Sequence, residues 1–112
     1  MIEVVYDRDE NWLTVKGHAH SDEYGRDLIC AAVSALALTL RENVINMTAG
    51  GIVTTPVLCI EDGYAEISCV PREEFQALVC HTFMSVCVGF EILATEYPDY
   101  ISYSVVGWQC ET

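Results

Sequence analysis

The stretch from Leu28 to Leu40, LICAAVSALALTL, carries no charge, and an uncharged run of that length is expected to be buried. Leu28, Ile29, Val33, Leu36, Leu40 and Val44 recur at helical spacing, and Gly50-Gly51 supplies a stop, so the pattern predicts a helix over Asp27 to Met47. The run falls well short of the roughly 20 apolar residues that a bilayer span needs, and it reads as a helix packed inside protein. Cys30, Ser34, Ala37 and Arg41 share another side of that helix. Alanines at 31, 32, 35 and 37 permit close packing against a sheet or a second subunit.

The flanking segments switch to period two. Ile2, Val4 and Tyr6 alternate, Asp7 to Asn11 make a charged turn, and Leu13 and Val15 alternate again, which predicts a β-hairpin ending at Gly17. Ile52 to Ile60 and Tyr64 to Val70 read as a second hairpin around Glu61-Asp62-Gly63, with Pro56 marking an edge or a bulge. Pro71 is expected to open a second helix, with Glu73 and Glu74 in its first turn. Its expected apolar stripe is Phe75, Leu78, Val79, Phe83, Val86, Phe90, Leu93 and Tyr97, and Pro98 stops it. A last strand follows over Tyr100 to Val106. The order β-β-α-β-β-α-β predicts one α+β domain over residues 1–112, an antiparallel or mixed sheet packed with two helices. Two helices on one sheet leave the other face open, and with 52% hydrophobic residues a homodimer is expected.

Five basic residues against 17 acidic ones give a net charge of −12, which argues against a nucleic-acid partner and leaves basic polypeptides open. Met1 to Tyr6 has neither a basic n-region nor a long apolar segment, so no secretory signal is expected, and six cysteines without one point to a reducing compartment. There the six cysteines would be buried thiols or one reactive thiol rather than a disulfide framework. Cys59 and Cys69 flank the Asp62-Gly63 turn, but that turn pairs residue 59 with residue 66 and puts Cys69 near Pro56, so the two are poor disulfide partners.

Chemistry concentrates between Gly17 and Ser34, GHAHSDEYGRDLICAAVS. Asp27 as N-cap would put Cys30 at N3, where free backbone N–H groups and the helix dipole favour a thiolate. Across a short polar loop stands His18, at a strand end. The pair could act as nucleophile and general base, with helix-start N–H groups as oxyanion donors. The plainer alternative is a small core cysteine. Ser34, one turn beyond Cys30, could donate to the thiolate or to a substrate carbonyl, or bond its own backbone. Asp27 could cap the helix or orient His18, while its charge opposes thiolate formation. The loop from Ala19 to Arg26, with His20, Tyr24 and Gly25, would form a wall that orders around substrate.

Other readings use the same residues differently. His18 and His20 with Cys30 or His81 could bind a metal, although two residues apart they equally suit one buried and one solvated ring. Cys80 and His81 are neighbours on a helix and point about 100 degrees apart, so they cannot form a local dyad. A redox sensor needs a resolving cysteine close to Cys30 in sequence, and none is there. An acidic chaperone or assembly factor that binds a basic tail without cutting it would need no thiol at all.

Gly17-His18-Ala19, then Gly25-x-Asp27, then Leu28-Ile29-Cys30-Ala31-Ala32-Val33-Ser34 closely resemble the signature of the ribosomal-processing cysteine protease family Prp. The resemblance implies a bacterial cytoplasmic endopeptidase that trims the N-terminal extension of large-subunit ribosomal protein twenty-seven, acting as a homodimer. No cofactor is expected, and from charge and run length neither nucleic acid nor membrane is expected as a partner. Carried over by position, Cys30 is the nucleophile and His18 its base, and Asp27 and Ser34 match the motif in supporting places. His20 is not part of the pattern.

Overall fold

The computed structural model describes residues 1–18 and 24–107, apart from the side chains of residues 24–27. Strands β1 (Ile2–Asp7) and β2 (Trp12–Lys16) form the first hairpin, and helix α1 (Tyr24–Ala49) follows. Strands β3 (Val53–Glu61) and β4 (Tyr64–Pro71) form the second hairpin. A 3-10 turn (Glu73–Phe75) leads into helix α2 (Gln76–Glu96), and β5 (Ile101–Val106) closes the domain. The sheet order is β3-β4-β2-β1-β5, antiparallel except for the parallel β1–β5 pair, so the sheet is mixed and the fold is α+β as expected.

This order has a consequence for the connections. β2 and β3 run in the same direction with β4 between them, so α1 must cross over the sheet; α2 likewise carries the chain from β4 over to β5. Both helices lie on one face, α1 against β3 and β4 and α2 against β5, and they pack on each other. The alternation reads out directly: Ile2, Val4 and Tyr6, then Leu13 and Val15, then Ala65, Ile67 and Cys69 are buried under the helices. Glu3, Trp12, Thr14 and Lys16 occupy the opposite side of the pleat.

On α1 the buried stripe is Ile29, Val33, Ala37, Leu40, Val44 and Met47. Its end is a Schellman closure, in which Gly51 at φ +73° lets Ile52 N–H reach Met47 O at 2.8 Å and Gly51 N–H reach Thr48 O at 3.1 Å. Pro56 behaves as read: β3 is an edge strand, and its register with β4 shifts between Thr54 and Val57. Cys59 faces Glu66, and both Cys59 and Cys69 are free thiols.

Several boundaries and faces differ from expectation. α1 starts at Tyr24 rather than Asp27, and Leu28, expected in its core stripe, is 57% exposed because the helix turns Ile29 inward instead. Pro71 ends β4 and the 3-10 turn starts the next helical segment; Leu78 and Tyr97 lie on the solvent side of α2. Counting only uncharged residues also understates the helices. By length and composition Leu28–Ala49 and Glu73–Glu96 are both long and apolar enough to cross a membrane, with Arg41 and Glu42 in the first and Glu73, Glu74, Glu91 and Glu96 in the second. Inside the domain, Tyr6 stacks on Phe83 with ring centroids 5.9 Å apart, at the junction of sheet and α2. Replacing the fully buried Phe83 by alanine is therefore expected to remove about 3–5 kcal/mol of stability, read as a fall in the urea midpoint at unchanged slope.

Candidate active site

The C-terminal ends of β2 and β3 lie at the same end of the sheet, and there the chain builds a cavity of about 270 Å³. His18 lines it from the end of β2, Cys30 and Ser34 line it from α1, and Glu61, Gly63 and Tyr64 line it from the β3–β4 turn. The two residues singled out by sequence thus share one opening although separate elements deliver them. His18 is exposed and Cys30 half-buried, so the thiol borders both the core and the solvent.

Backbone bonds hold the wall together. Register pairs Lys16 with Tyr64, and just beyond that pair Gly17 N–H donates to Gly63 O at 2.9 Å. The Met1 amino group donates to His18 O at 2.9 Å. Gly17 has φ +102°, and a Cβ there would collide with the Met1 carbonyl. The imidazole therefore leaves the sheet from a fastened backbone.

α1 supplies the thiol differently from the expected capping geometry. With Tyr24 as its first residue, Asp27 lies within the helix and is not its N-cap, and Cys30 lies beyond the first turn. The free N–H groups of a helix start belong to its first four residues, so Cys30 does not have the terminal position expected for it. The hydroxyl of Ser34, one turn further on, makes no hydrogen bond among the described residues. Thr39 and Thr48 on the same helix bond back to the carbonyls of Ala35 and Val44 at 2.7 and 2.8 Å, and Ser34 does not follow them. Ala19 and His20 lie outside the described residues, as do the side chains of Tyr24 and Asp27. Tyr24 and Gly25, read as loop, are in the first turn of α1.

The other described thiols have different surroundings. Burial pushes Cys69 up from about 9 to about 11, and burial does the same to Cys87, opposed in part by a hydrogen bond with Tyr103. Cys59 is raised by desolvation and by the Glu61 carboxylate 3.5 Å away. These three are protonated, poor nucleophiles at neutral pH. Cys80 is disulfide-bonded, so the expectation of thiols holds for four of the cysteines. Cys80 and His81 line a larger cavity of about 740 Å³ with Arg8, Asn11 and Met84, separate from His18 and Cys30. His81 is exposed there, with Nε2 3.4 Å from Ser85 Oγ, whereas Cys80 is buried.

The cavity wall from Glu61 to Tyr64 is what sequence reading missed. Asp62-Gly63 signalled a turn, but nothing local said that this turn would stand beside the end of β2.

A thiol and an imidazole on one solvent-open cavity are the kinds of group that a cysteine hydrolase uses. Residues 1–102 match the family Cysteine protease Prp, and the chain belongs to that family. The fold agrees with solved structures. The essential ribosomal processing protease Prp of S. aureus, in complex with a covalently linked product peptide, superposes with TM-score 0.73 at 22% identity over 95% of this chain and 100% of that one. The same protease in complex with a substrate peptide gives 0.71 at 21% identity, with the same coverage. SMU.848 from Streptococcus mutans gives 0.65 at 22% identity over 94% and 91%. No curated protein matches the chain.

The raised Cys87 thiol carries a pH signature. A group held protonated in the folded state up to about 11 contributes stability that is complete below about pH 9 and is lost as pH rises through 11, because the unfolded state releases its proton first. Urea midpoints should accordingly fall between pH 9 and 11, and Cys87→Ala should flatten that fall.

Proposed function

We propose that this protein is a ribosomal-processing endopeptidase that removes the N-terminal extension of large-subunit ribosomal protein twenty-seven, with Cys30 as nucleophile and His18 as general base. The observation that carries the reading is the shared cavity: within a family of cysteine proteases, the one half-buried thiol among the described residues that borders a cavity also bordered by an imidazole is Cys30. The S. aureus protease bound to a substrate peptide and to a covalently linked product peptide supports a peptide substrate and a covalent step here. We place the reaction in the cytoplasm, with a basic ribosomal protein drawn to a chain of net charge −12.

In the proposed sequence His18 takes the thiol proton and the Cys30 sulfur adds to the scissile carbonyl carbon. The imidazolium then protonates the departing amine as the C–N bond breaks, leaving a thioester. Water, deprotonated by the imidazole, hydrolyses the thioester and releases the free thiol. Negative charge develops on the carbonyl oxygen in both halves, and the unbonded Ser34 hydroxyl on the same cavity is our candidate donor to it. Asp27 falls one helical turn before Cys30, and we assign it to orienting the base, since it is not the N-cap of α1.

The test is mass spectrometry of an N-terminally extended ribosomal protein incubated with each variant. Wild type should release the extension, Cys30→Ala should release none while still binding, and His18→Ala should slow release about 10²–10⁴-fold. Function that survives in Cys30→Ala would favour the binding or assembly factor.

We further propose that the protein is a homodimer. The exposed large apolar residues include Leu38 and Ile45 on α1 and Val88 and Ile92 on α2, so the helix layer, more than the open sheet face, offers the surface to cover. Light scattering should give twice the single-chain mass, and Val88→Glu should reduce it to one.

A further inference from the structure

We propose that Gly63 is a positioning residue for His18: its bare α-carbon is the surface against which the imidazole rests. This rests on the reading of His18 as general base. Gly63 lies outside the Gly17 to Ser34 segment, and it reaches the site through the fold. A Cβ built on Gly63 would collide with Nε2 of His18 and would stand 2.9 Å from Cε1 and 3.2 Å from Cδ2. Three ring atoms thus occupy the space that any other residue would fill. The same glycine accepts the Gly17 N–H bond at 2.9 Å, so the surface that receives the ring is tied to the backbone that carries it.

The geometry leaves a substituted chain two options, and both move the ring. A side chain at 63 must push the imidazole away, because Gly17 and the Met1 contact prevent the backbone of residue 18 from retreating. Alternatively the turn must shift, which breaks the Gly17–Gly63 bond and frees the end of β2. A misplacement of about 1 Å in a reacting group costs on the order of 10²-fold in rate. Gly63 also has φ +77°, which an alanine adopts under strain, so backbone strain has to be separated from ring displacement. Gly51 provides the control: its φ is +73°, and a Cβ there would meet nothing within 4 Å.

Gly63→Ala and Gly51→Ala should lose similar thermal stability. Only Gly63→Ala should lower kcat, about 10²-fold with little change in KM, and move the pH profile of Cys30 alkylation by iodoacetamide to higher pH. Gly63→Ala that cleaves and alkylates like Gly51→Ala would overturn the proposal. A nuclear Overhauser contact between the His18 ring and the Gly63 α-protons in the wild-type protein tests it without any variant; finding none would also overturn it. If His18→Ala cleaves at the wild-type rate, the dyad reading fails and this proposal falls with it. Loss of cleavage in His18→Ala beside normal cleavage in Gly63→Ala rejects the positioning role alone.

Discussion

The backbone bond from Gly17 N–H to Gly63 O joins two parts of the chain that sequence places far apart: the end of the first hairpin and the turn of the second. It exists because β4 pairs with β2, and the Lys16–Tyr64 register brings the turn level with the strand end. β2 and β3 then finish at the same end of the sheet, and the crossover through α1 must begin there. The cavity is the gap left between those three features. Its position follows from topology, as ligand sites at the carboxyl ends of strands generally do.

The helix layer does two jobs. Its inner stripes cover the sheet from Ile2 to Ile101 in one core cluster, and its packing decides the chemistry of the sulfurs. Cys69 and Cys87 are drawn into apolar surroundings where the thiolate is disfavoured, and Cys59 sits beside a carboxylate that opposes ionisation. Burial and local charge thereby hold the other three free described thiols in the protonated form, while Cys30 lies at the margin of the core on an opening it shares with an imidazole. Selectivity among cysteines is as much a property of the packing as of the site.

Where the reading of the sequence went astray, a local preference had competed with a tertiary one. Gly25 is a poor helix interior residue, and Asp27 is a good cap, so α1 was expected to start at Asp27; the helix nevertheless includes Tyr24, Gly25 and Arg26. Leu28 and Ile29 are equally apolar, and only the phase of α1 on the sheet decides which is buried. Leu78 and Val79 pose the same choice on α2, and it resolves the same way.

The sequence by itself determined the element order, the two hairpins, the Pro56 irregularity and the facing of Cys59 with Glu66, because turn chemistry and period-two alternation act between near neighbours. It also marked His18 and Cys30 through a family signature. The tertiary structure alone decided that β4 adjoins β2 and which side of each helix faces the sheet. It alone set a glycine of the second hairpin against the His18 imidazole. Strand order and helix phase minimise exposed apolar surface over the whole chain, and a sum of that kind has no local signature to read.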